Sequence, residues 1–581
     1  MAGMPADPKT ELAVRFRAAL AGAFGDQRAG TDPLIRPSAF GDYQANVAMS
    51  LAKELGRPPR EVAGAIVEHL DVGDLCETVA VSGPGFVNLT LRTEWIAAQA
   101  ERLLGDERLA VPPAARGETV VVDYSAPNAA KEMHVGHLRS TVIGDALRRL
   151  LGFLGHRVIA QNHLGDWGTP FGMLIEHLVD LGGAAPDSEL VIGDLNAFYR
   201  QAREKYDSDL DFAERARRRV VALQAGDETA LRLWQRLVAE SMRHFRGIYQ
   251  RLGVLLSDDD LDPESRFNPV LPDVVAELEA RGIAVESQGA LCVFPPGFTG
   301  RDGEPLPLIV RKRDGGYNYV TTDLAAVRFR VRKLGATHLV YVVGAEQALH
   351  FAMVFAAARE AGWLTSEHRA EHAAHGLVLG ADGKRLRTRS GDPVKLVDLL
   401  DEAEQRAAEV VGERSELDPA TRAAVAHVVA VGALKYFDLS FQRERDYVFD
   451  WDRMLAFDGN TGPYLQYAVT RIRSIFRRAG LDPGALTDAS ITIGEPAERA
   501  LALRLLGLGE AVSAVAATLE PHRLCAYLFE LATAFTDFYE ACPVLQADEP
   551  TRRSRLALCA LTSRSLTLGL GLLGIEVPER M

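Results

Sequence analysis

Cysteine is scarce in this chain, and its placement excludes two kinds of structure. Five cysteines occur among 581 residues. Their number is odd, they lie far apart and no two form a C-x-x-C pair; they are Cys76, Cys292, Cys525, Cys542 and Cys559. Neither a disulfide framework nor a cysteine-rich zinc site fits this spacing. We therefore predict buried, reduced thiols.

The sequence also has little to suggest a membrane protein or a basic coat. To judge by the sequence, no apolar run approaches the length of a bilayer span, and the opening MAGMPADPKTELAVRFRAAL lacks the features of a signal peptide. We therefore expect a cytoplasmic protein. Lys and Arg number 65 against 79 Asp and Glu, a net charge of -14. This balance argues against bulk DNA binding, so a nucleic-acid partner would need local basic patches.

What is present fits a folded protein of several domains. Apolar residues make up 47% of the chain and charged residues 25%, which is the range of globular proteins and argues against disorder. A chain of 581 residues is too long for one hydrophobic core. We therefore expect about two to four domains.

Residues 119–154 form the stretch around which the rest can be placed. They read TVVVDYSAPNAAKEMHVGHLRSTVIGDALRRLLGFL. The β-branched run from Val120 to Val122 predicts a strand that is buried on both faces. Pro127 and Asn128 then interrupt it, and from Val135 onward the apolar residues recur with the 3.6-residue period of a core-facing helix. The predicted unit is strand, loop, helix.

The predicted helix opens with His134-Val135-Gly136-His137. Unpaired backbone N–H groups and the positive end of the helix dipole attract anions at such a place. Gly136 would let a flat ring such as adenine lie against the backbone, while His134 and His137 donate hydrogen bonds to phosphate oxygens. A bare H-x-x-H is more often a surface or capping pair. Lys131 and the position directly after a strand favour a nucleotide site.

This stretch resembles the HIGH signature of class I aminoacyl-tRNA synthetases, and SAPNAAKEMHVGHLRST is similar to the version in arginyl-tRNA synthetases. The resemblance implies a Rossmann-type, doubly wound α/β catalytic domain, which the alternating strands and helices of residues 113–400 also indicate. It implies that Lys131, His134, Gly136 and His137 serve catalysis. It also implies ATP contacts by Pro127, Asn128, His134, His137, His163, His350 and Lys384.

A second signature is GLVLGADGKRLRTRSGDPVKL, residues 376–396. Its four cations within six residues are Lys384, Arg385, Arg387 and Arg389. Such a loop can close over a triphosphate as charge builds on the departing pyrophosphate, although alone it could be a solvated basic turn. It resembles the KMSKS loop, with Lys384 and Arg387 in catalytic positions. Because Thr388-Arg389-Ser390 replaces the end of the common motif, the resemblance implies that Lys131 substitutes for the missing lysine.

A pocket that selects a guanidinium needs a fixed carboxylate and further acceptors. Tyr319 and Asp323 lie four residues apart and can face one cavity if the strand NYV runs into a helix at Thr322. By itself Asp323 would more often be a helix cap. Set beside the family, the Y-x-x-x-D pair resembles the reader of the arginine side chain. The resemblance implies further arginine contacts by Asp123, Asn128, Glu264 and Gln347.

The remaining regions suggest three flanking parts. Residues 1–112 read as a small α+β domain with two strands in 79–91 around Gly83-Pro84-Gly85, and they are similar to the N-terminal domain of arginyl-tRNA synthetases, which implies contact with the tRNA elbow. Asp42, Tyr43 and Asn46 read as turn or capping residues. Residues 182–254 read as a charged helical insertion of the kind that class I synthetases place near the tRNA acceptor end. The sheet is expected to resume at residue 308.

Residues 401–581 are helical nearly throughout and predict a bundle. The sequence and order of these helical segments resemble the anticodon-binding domain of arginyl-tRNA synthetases. Their arginine and aromatic side chains could also belong to the surface or the core of the bundle. The resemblance implies tRNA contacts by Tyr464, Gln466, Tyr467, Arg471 and Met581.

Taken together, these resemblances imply an arginine–tRNA ligase with arginine, ATP and arginine-accepting tRNA as substrates. ATP would enter as its Mg²⁺ complex, with no structural metal and no membrane partner, and the absence of coiled-coil heptads permits a monomer. One alternative is a synthetase for another amino acid, which Tyr319, Asp323 and Gln347 disfavour. The other is a non-catalytic RNA-binding paralogue, which the intact HVGH and the basic loop disfavour.

Overall fold

The computed structural model describes residues 7–183, 195–388, 391–414 and 417–581. Its contacts divide the chain into two compact units. The first contains Met1–Pro112, Ala456–Gly571 and Glu576–Met581, and the second contains Pro113–Leu455 and Leu572–Ile575. The predicted limit at residue 400 differs from this division, since residues 401–455 group with the second unit.

The N-terminal part of the first unit is an α+β structure. Its helices are α1 (Pro8–Phe24), α2 (Val47–Leu55), α3 (Pro59–Glu68) and α4 (Thr93–Leu104), and its strands are β1 (Ile35–Pro37), β2 (Tyr43–Ala45), β3 (Cys76–Ser82) and β4 (Phe86–Leu91). The strands form an antiparallel sheet in the order β1-β2-β4-β3. The predicted hairpin β3–β4 is confirmed. The sequence did not reveal β1 and β2, which are too short to show alternation, so Tyr43 lies in a strand rather than a turn.

The second unit contains most of the strands. They are β5 (Thr119–Asp123), β6 (Arg157–Gln161), β7 (Ala284–Ser287), β8 (Ala290–Val293), β9 (Leu308–Arg311), β10 (His338–Tyr341), β11 (Arg369–His372), β12 (Val378–Leu379) and β13 (Tyr447–Val448). Four of them form a parallel sheet in the order β11-β10-β5-β6. The strands predicted at β5, β6 and β10 are confirmed, and Val120, Val121 and Val122 are all buried.

The second unit also contains the following helices. They are α5 (Val135–Phe153), α6 (Thr169–Asp180), α7 (Leu195–Ser208), α8 (Leu210–Gln224), α9 (Glu228–Leu252), α10 (Leu271–Ala280), α11 (Tyr319–Arg332), α12 (Ala348–Glu360), α13 (Leu396–Arg414), α14 (Pro419–Leu439) and α15 (Trp451–Met454). The helix predicted from Val135 is confirmed as α5. The predicted insertion corresponds to α7, α8 and α9, and its residues 184–194 lie outside the described part of the chain.

Two local predictions in this unit are wrong. Strand β9 does not resume the parallel sheet; it pairs antiparallel with β8 in a separate sheet, β7-β8-β9. Its inward residues Leu308 and Val310 are buried whereas Ile309 is exposed, the pattern of a one-sided strand. The segment NYV is not a strand either, because α11 already begins at Tyr319.

The C-terminal part of the first unit is helical, as predicted. Its helices are α16 (Gly462–Ala479), α17 (Pro496–Leu505), α18 (Leu508–Thr518), α19 (His522–Ala541) and α20 (Glu549–Leu572). It packs on the N-terminal part within the same unit, where both Nη atoms of Arg499 on α17 donate to the two carboxylate oxygens of Asp42 at 2.8 and 2.7 Å. Asp42 also accepts the backbone N–H of Leu91, so its role here is structural.

One helical stretch contradicts the expectation that no apolar run reaches bilayer length. Among the described residues, Pro496–Thr518 is long and apolar enough for a membrane span by length and composition alone. The stretch is divided into α17 and α18, and half of its most apolar window is buried inside the protein. It therefore has the features of core helices. All five cysteines are buried and free, which confirms the prediction for them.

Candidate active site

Side chains from distant parts of the chain fix the backbone conformation of the loop between β5 and α5. Ser125, Ala126 and Ala130 adopt left-handed backbone conformations with φ of 73°, 44° and 62°, which cost free energy in non-glycine residues. Their backbone N–H groups donate to Ser140 Oγ, Asn162 Oδ1 and Ser241 Oγ at 2.9, 3.0 and 2.7 Å. These bonds compensate the strain and fix the loop that carries the first signature.

His134 and His137 cap the start of α5 with one nitrogen each. His134 Nδ1 accepts the N–H of Gly136 at 3.0 Å, and His137 Nδ1 accepts the N–H of His134 at 3.1 Å. A ring nitrogen that accepts a backbone N–H carries no proton, so each neutral imidazole holds its proton on Nε2. The capping role and the phosphate-binding role are therefore compatible, because Nε2–H remains a donor on both rings.

The local environment keeps both rings neutral. Burial, followed by the charges of Lys131 and Arg385, lowers the pKa of His134. Burial, followed by the neighbouring His134 ring, lowers the pKa of His137 to about 3. The two ring centroids are 4.1 Å apart, and the pair acts at neutral pH as two neutral hydrogen-bond donors.

Gly136 is required by the capping geometry itself. A Cβ at this position would lie 2.8 Å from Cε1 and 2.9 Å from Nδ1 of His134. Any larger residue would therefore displace the ring that caps the helix. Gly136 is also exposed, which is consistent with the predicted approach of a flat ring to the backbone.

A cleft of about 420 Å³ brings the two signatures together. One wall is the start of α5 with its preceding loop, and the other walls are the segment after β10, the segment before β12 and the basic loop. The predicted site residues that line it are Asn128, His134, Gly136, His137, Gln347 and Arg387. Arg139, His375 and Arg385 also line it; the sequence contained no local signal for the first two.

Backbone hydrogen bonds join the basic loop to the first signature. The N–H of Val135 donates to the carbonyl of Val394 at 2.9 Å, and the N–H of Leu396 donates to the carbonyl of Met133 at 2.9 Å. Arg387 lines the cleft, whereas Lys384 is exposed and lines a neighbouring cavity of about 560 Å³. The prediction for Arg389 falls outside the described residues.

Two further residues of the first loop lie close to the cleft without lining it. The carbonyl of Pro127 accepts the N–H of Gly165 at 3.2 Å. Lys131 Nζ lies 4.3 Å from the centroid of the Tyr199 ring on α7. The ammonium of Lys131 is therefore held by an aromatic face in this structure.

Tyr319 and Asp323 share one face of α11, beside two histidines. Asn318 caps this helix by accepting the N–H of Val320 at 3.1 Å, so Asp323 is not a cap. Asp323 Oδ2 lies 2.6 Å from His350 Nε2, and its Oδ1 lies 3.9 Å from His163 Nε2. Thus His163 and His350, which resemblance assigns to ATP, stand next to Asp323 and are not among the residues that line the cleft.

A buried arginine organises the carboxylates behind this face. Arg330 is buried, and its Nη2 lies 2.8 Å from Asp123 Oδ2 and 3.0 Å from Asp262 Oδ2. Asp123 Oδ1 is buried, and no donor in the described part of the chain is hydrogen-bonded to it. Arg330 and Asp262 were missed because RFRVRK and SDDDLDP give no local reason to pair them.

We call Asp123, Asp262, Glu264 and Asp323, together with His163, the acidic cluster. Burial disfavours the charged form of His163, but Asp262, Asp123 and Asp323 outweigh it and raise the pKa of His163 to about 9. Burial, with Asp323 and Asp166 adding repulsion, raises the pKa of Glu264 to about 7. The cluster therefore combines negative charge with one cation and one readily protonated carboxylate.

Helix α16 presents the predicted RNA-reading residues in different environments. Gln466 is fully buried and its Nε2 donates to the carbonyl of Glu576 at 2.8 Å. This burial contradicts a direct RNA contact, because the side chain is already used to hold the C-terminal tail. Tyr467 is exposed, and the Arg471 guanidinium lies 4.3 Å from the centroid of the Tyr539 ring.

The same helix holds the tail that ends in Met581. Arg473 Nη1 donates to the carbonyl of Pro578 at 2.8 Å, and Arg477 Nη1 donates to the carbonyl of Glu579 at 3.4 Å. Tyr464 is half-buried, and its hydroxyl lies 3.0 Å from Thr536 Oγ1. Pro578 and Glu579, shortly before Met581, are thus bound to a basic helix.

Three family models match the chain. Residues 99–451 match the catalytic domain of class I tRNA synthetases of the arginine type. Residues 465–581 match the DALR anticodon binding domain, and residues 10–91 match the arginyl tRNA synthetase N terminal domain. The three matches follow the same order as the three regions recognised in the sequence.

Full-length relatives agree with these models. The chain is 59% identical to the arginine–tRNA ligase of Thermobifida fusca over 99% of this chain and 100% of that protein. It is 51% identical to that of Synechococcus elongatus over 99% and 100%. Among solved structures it resembles the Plasmodium falciparum arginyl-tRNA synthetase, with 28% identity, a TM-score of 0.87 and full coverage of both chains. The Thermus thermophilus arginyl-tRNA synthetase is similar at 27% identity, with a TM-score of 0.80 and coverage of 98% and 100%.

Proposed function

This chain belongs to the arginyl-tRNA synthetase family of class I aminoacyl-tRNA synthetases, and from this premise we propose how its residues divide the work of an arginine–tRNA ligase. The activity is the ATP-dependent ligation of arginine to tRNA. Its substrates are arginine, ATP and arginine-accepting tRNA. The residue roles that follow are our proposal.

In the first step, the arginine carboxylate attacks the α-phosphate of ATP, and arginyl-adenylate and pyrophosphate form. His134 and His137 donate Nε2–H to phosphate oxygens, as their Nδ1 capping bonds support. Gly136 leaves room for the adenosine. Lys131, Lys384 and Arg387 neutralise charge on the leaving pyrophosphate. These groups act mainly by orientation and charge stabilisation, as is usual in phosphoryl-type transfer.

The nucleotide also meets the loop residues around this pair. Pro127 and Asn128 contact the adenosine from the β5–α5 loop, and Mg²⁺ enters with ATP as part of the substrate. The predicted ATP contacts of His163 and His350 have less support, because both histidines stand at Asp323. We propose that both histidines orient the side chain of Asp323; their ATP contacts stay predictions from the resemblance.

Arginine occupies the acidic cluster beside the cleft. Asp323 and Tyr319 bind the guanidinium, whose fixed fork of donors suits a carboxylate and a phenolic oxygen. Glu264 supplies a second carboxylate. Asn128 and Gln347, which both line the cleft, fix the α-groups of arginine, with Asp123 near the ammonium.

In the second step, a ribose hydroxyl of the terminal tRNA adenosine attacks the carbonyl carbon of arginyl-adenylate. The ester bond to the tRNA forms as the bond to the phosphate breaks, and AMP and a proton are released. The helical C-terminal part binds the anticodon arm with Tyr464, Tyr467, Arg471 and Met581, through stacking and phosphate contacts. The N-terminal part contacts the tRNA elbow, and the α7–α9 insertion lies near the acceptor end. The enzyme works as a monomer in the cytoplasm, and adenylate formation requires bound tRNA.

The observation that carries these assignments is the capping geometry of the two histidines within a cleft that the basic loop also lines. The test is arginine-dependent exchange of pyrophosphate into ATP, measured with and without tRNA. We expect exchange with arginine alone among the amino acids, and only when tRNA is present. Exchange driven by another amino acid would contradict the proposed pocket, and exchange without tRNA would contradict the tRNA requirement.

A further inference from the structure

The insertion helix α7 contacts both of the loops that are proposed to bind ATP. Its inner side is anchored by Leu195, Phe198 and Ala202, which are buried. The Phe198 ring centroid lies 4.9 Å from that of His177 on α6. Its outer side therefore has a fixed position, from which Asn196, Tyr199 and Arg200 reach the two loops.

Asn196 binds the loop that precedes α5. Its Oδ1 accepts the N–H of Glu132 at 3.1 Å, and its Nδ2 donates to Glu132 Oε2 at 3.3 Å. Glu132 Oε2 also pairs with Lys395 Nζ at 2.8 Å, at the end of the basic loop. One amide on α7 thus fixes the residue that joins the two signatures.

Tyr199 binds the neighbouring residue of the same loop. Its ring centroid lies 4.3 Å from Lys131 Nζ, and both side chains are half-buried. A cation over an aromatic face at this distance is attracted by the ring quadrupole, and the attraction grows as water is excluded. Lysine has four rotatable bonds and would otherwise sample many directions. The ring therefore restricts where the ammonium can be.

Arg200 completes the set with a weaker contact. Its Nη1 lies 3.3 Å from Asp392 Oδ2 in the basic loop, and both side chains are largely exposed. Exposed pairs of this kind contribute little by themselves. With this contact, three positions of α7, at 196, 199 and 200, touch the two loops.

We propose that Tyr199 is a positioning residue for the reaction: its ring holds the Lys131 ammonium beside the cleft so that it can meet the triphosphate. Through Asn196 and Tyr199, α7 makes the geometry of the ATP loops depend on the insertion. This inference rests on the proposed role of Lys131. It assigns to the insertion a part in adenylate formation in addition to its proposed position near the tRNA acceptor end.

The test replaces the ring and compares two tyrosines of the same helix. Tyr199→Leu removes the aromatic face, Tyr199→Phe keeps it, and Tyr206→Leu is the matched control. Tyr206 also lies on α7 under a cation, with the Arg203 guanidinium 5.7 Å from its centroid. Thermal unfolding first shows that each variant is folded. The measurement is then arginine-dependent pyrophosphate exchange at saturating tRNA, which gives kcat and the KM values for arginine and for ATP.

We expect Tyr199→Leu to lower kcat about fivefold, the size of an ordinary cation–π interaction. The KM for arginine should not change, and Tyr199→Phe and Tyr206→Leu should both stay within about twofold of the parent enzyme. Equal losses in Tyr199→Leu and Tyr206→Leu would indicate a general effect on the helix and overturn the inference. So would equal losses in Tyr199→Leu and Tyr199→Phe, because the hydroxyl rather than the ring would then matter.

The same substitution made in the Lys131→Met variant tests the inference about Tyr199 separately from the proposed role of Lys131. In Lys131→Met, we expect slow exchange and no additional loss from Tyr199→Leu, because the ring acts through the ammonium. If the loss from Tyr199→Leu persists in full in this background, Tyr199 acts by another route and the inference is wrong while the role of Lys131 stands. If Lys131→Met exchanges at the parent rate, the role of Lys131 is wrong and the inference fails with it.

Discussion

Asp323 Oδ2 and His350 Nε2 are 2.6 Å apart, so one oxygen of this carboxylate is already fixed by a neighbouring ring. The Tyr319 ring also contacts that histidine, with the ring centroids 5.2 Å apart and the ring planes tilted by 53°. The three side chains lie on adjoining helices and orient one another. A carboxylate held in this way is prepared for a ligand of fixed shape such as a guanidinium.

The first prediction concerns this carboxylate. Asp323→Asn removes the charge that pairs with the arginine side chain, and we expect the KM for arginine to rise about 100-fold, with the KM for ATP nearly unchanged. His350→Gln keeps a donor beside Asp323 and should raise the KM for arginine much less. Initial rates of pyrophosphate exchange at varied arginine and varied ATP measure both values. Equal increases in the two KM values for Asp323→Asn would show that Asp323 does not select arginine.

The second prediction concerns the glycine at the start of α5. Gly136→Ala places a Cβ within 2.9 Å of the His134 ring, so the ring must leave its capping position. We expect kcat for exchange to fall by about 100-fold, since a donor that stabilises charge in the transition state is misplaced. Gly152→Ala is the control, because Gly152 lies on the same helix and a Cβ there would meet no other described part of the chain within 4 Å, its own helical turn apart. A normal rate in Gly136→Ala would contradict the role of the histidine pair.

The third prediction concerns the pH dependence of arginine binding. Glu264 has a pKa raised to about 7, so it gains its charge as the pH rises from 6 to 8, and an anionic pocket binds a cation better. We expect the KM for arginine to fall over this interval. Glu264→Gln should flatten the dependence, because its side chain cannot ionise. If the KM for arginine depends on pH in the same way in both proteins, Glu264 is not part of the arginine pocket.

The fourth prediction concerns stability at alkaline pH. The pKa of His163 is about 9 in the folded chain and near 6.5 when unfolded. A group whose folded pKa is the higher one contributes stability that is complete below pH 6.5 and is lost as the pH rises through 9. We expect a loss of up to about 3 kcal/mol across this window.

His163→Asn provides the comparison for this loss, because its side chain has no proton to release. The unfolding temperature, measured between pH 6 and pH 9.5, should fall more steeply with pH in the parent protein than in the variant. Parallel curves would mean that the imidazolium of His163 does not contribute to the stability of the acidic cluster.

The sequence was sufficient where the signal is local. The run Val120–Val122 and the period from Val135 fixed β5 and α5, because burial on both faces of a strand and along one face of a helix leaves its own pattern. HVGH and the basic loop could be recognised as parts of one site. The structure adds the backbone hydrogen bonds between these two segments, which the sequence pattern does not predict.

The sequence was insufficient where a residue depends on a distant partner. Arg330 and Asp262 pair across 68 positions, and Tyr199 meets Lys131 from a helix of the insertion. Neither pairing has a local signature. Gln466 shows the converse limit, since an amide on an amphipathic helix can be surface or core and only the fold shows that it is buried.

The two backbone bonds between residues 133–135 and 394–396 join the rear end of the basic loop to the first turn of α5. These bonds hold residues 394–396 beside the histidines, so the end of the basic loop and the start of α5 are fixed to each other. Under the proposed roles, we therefore expect pyrophosphate to leave without displacement of the imidazole donors, which their own capping bonds keep in place.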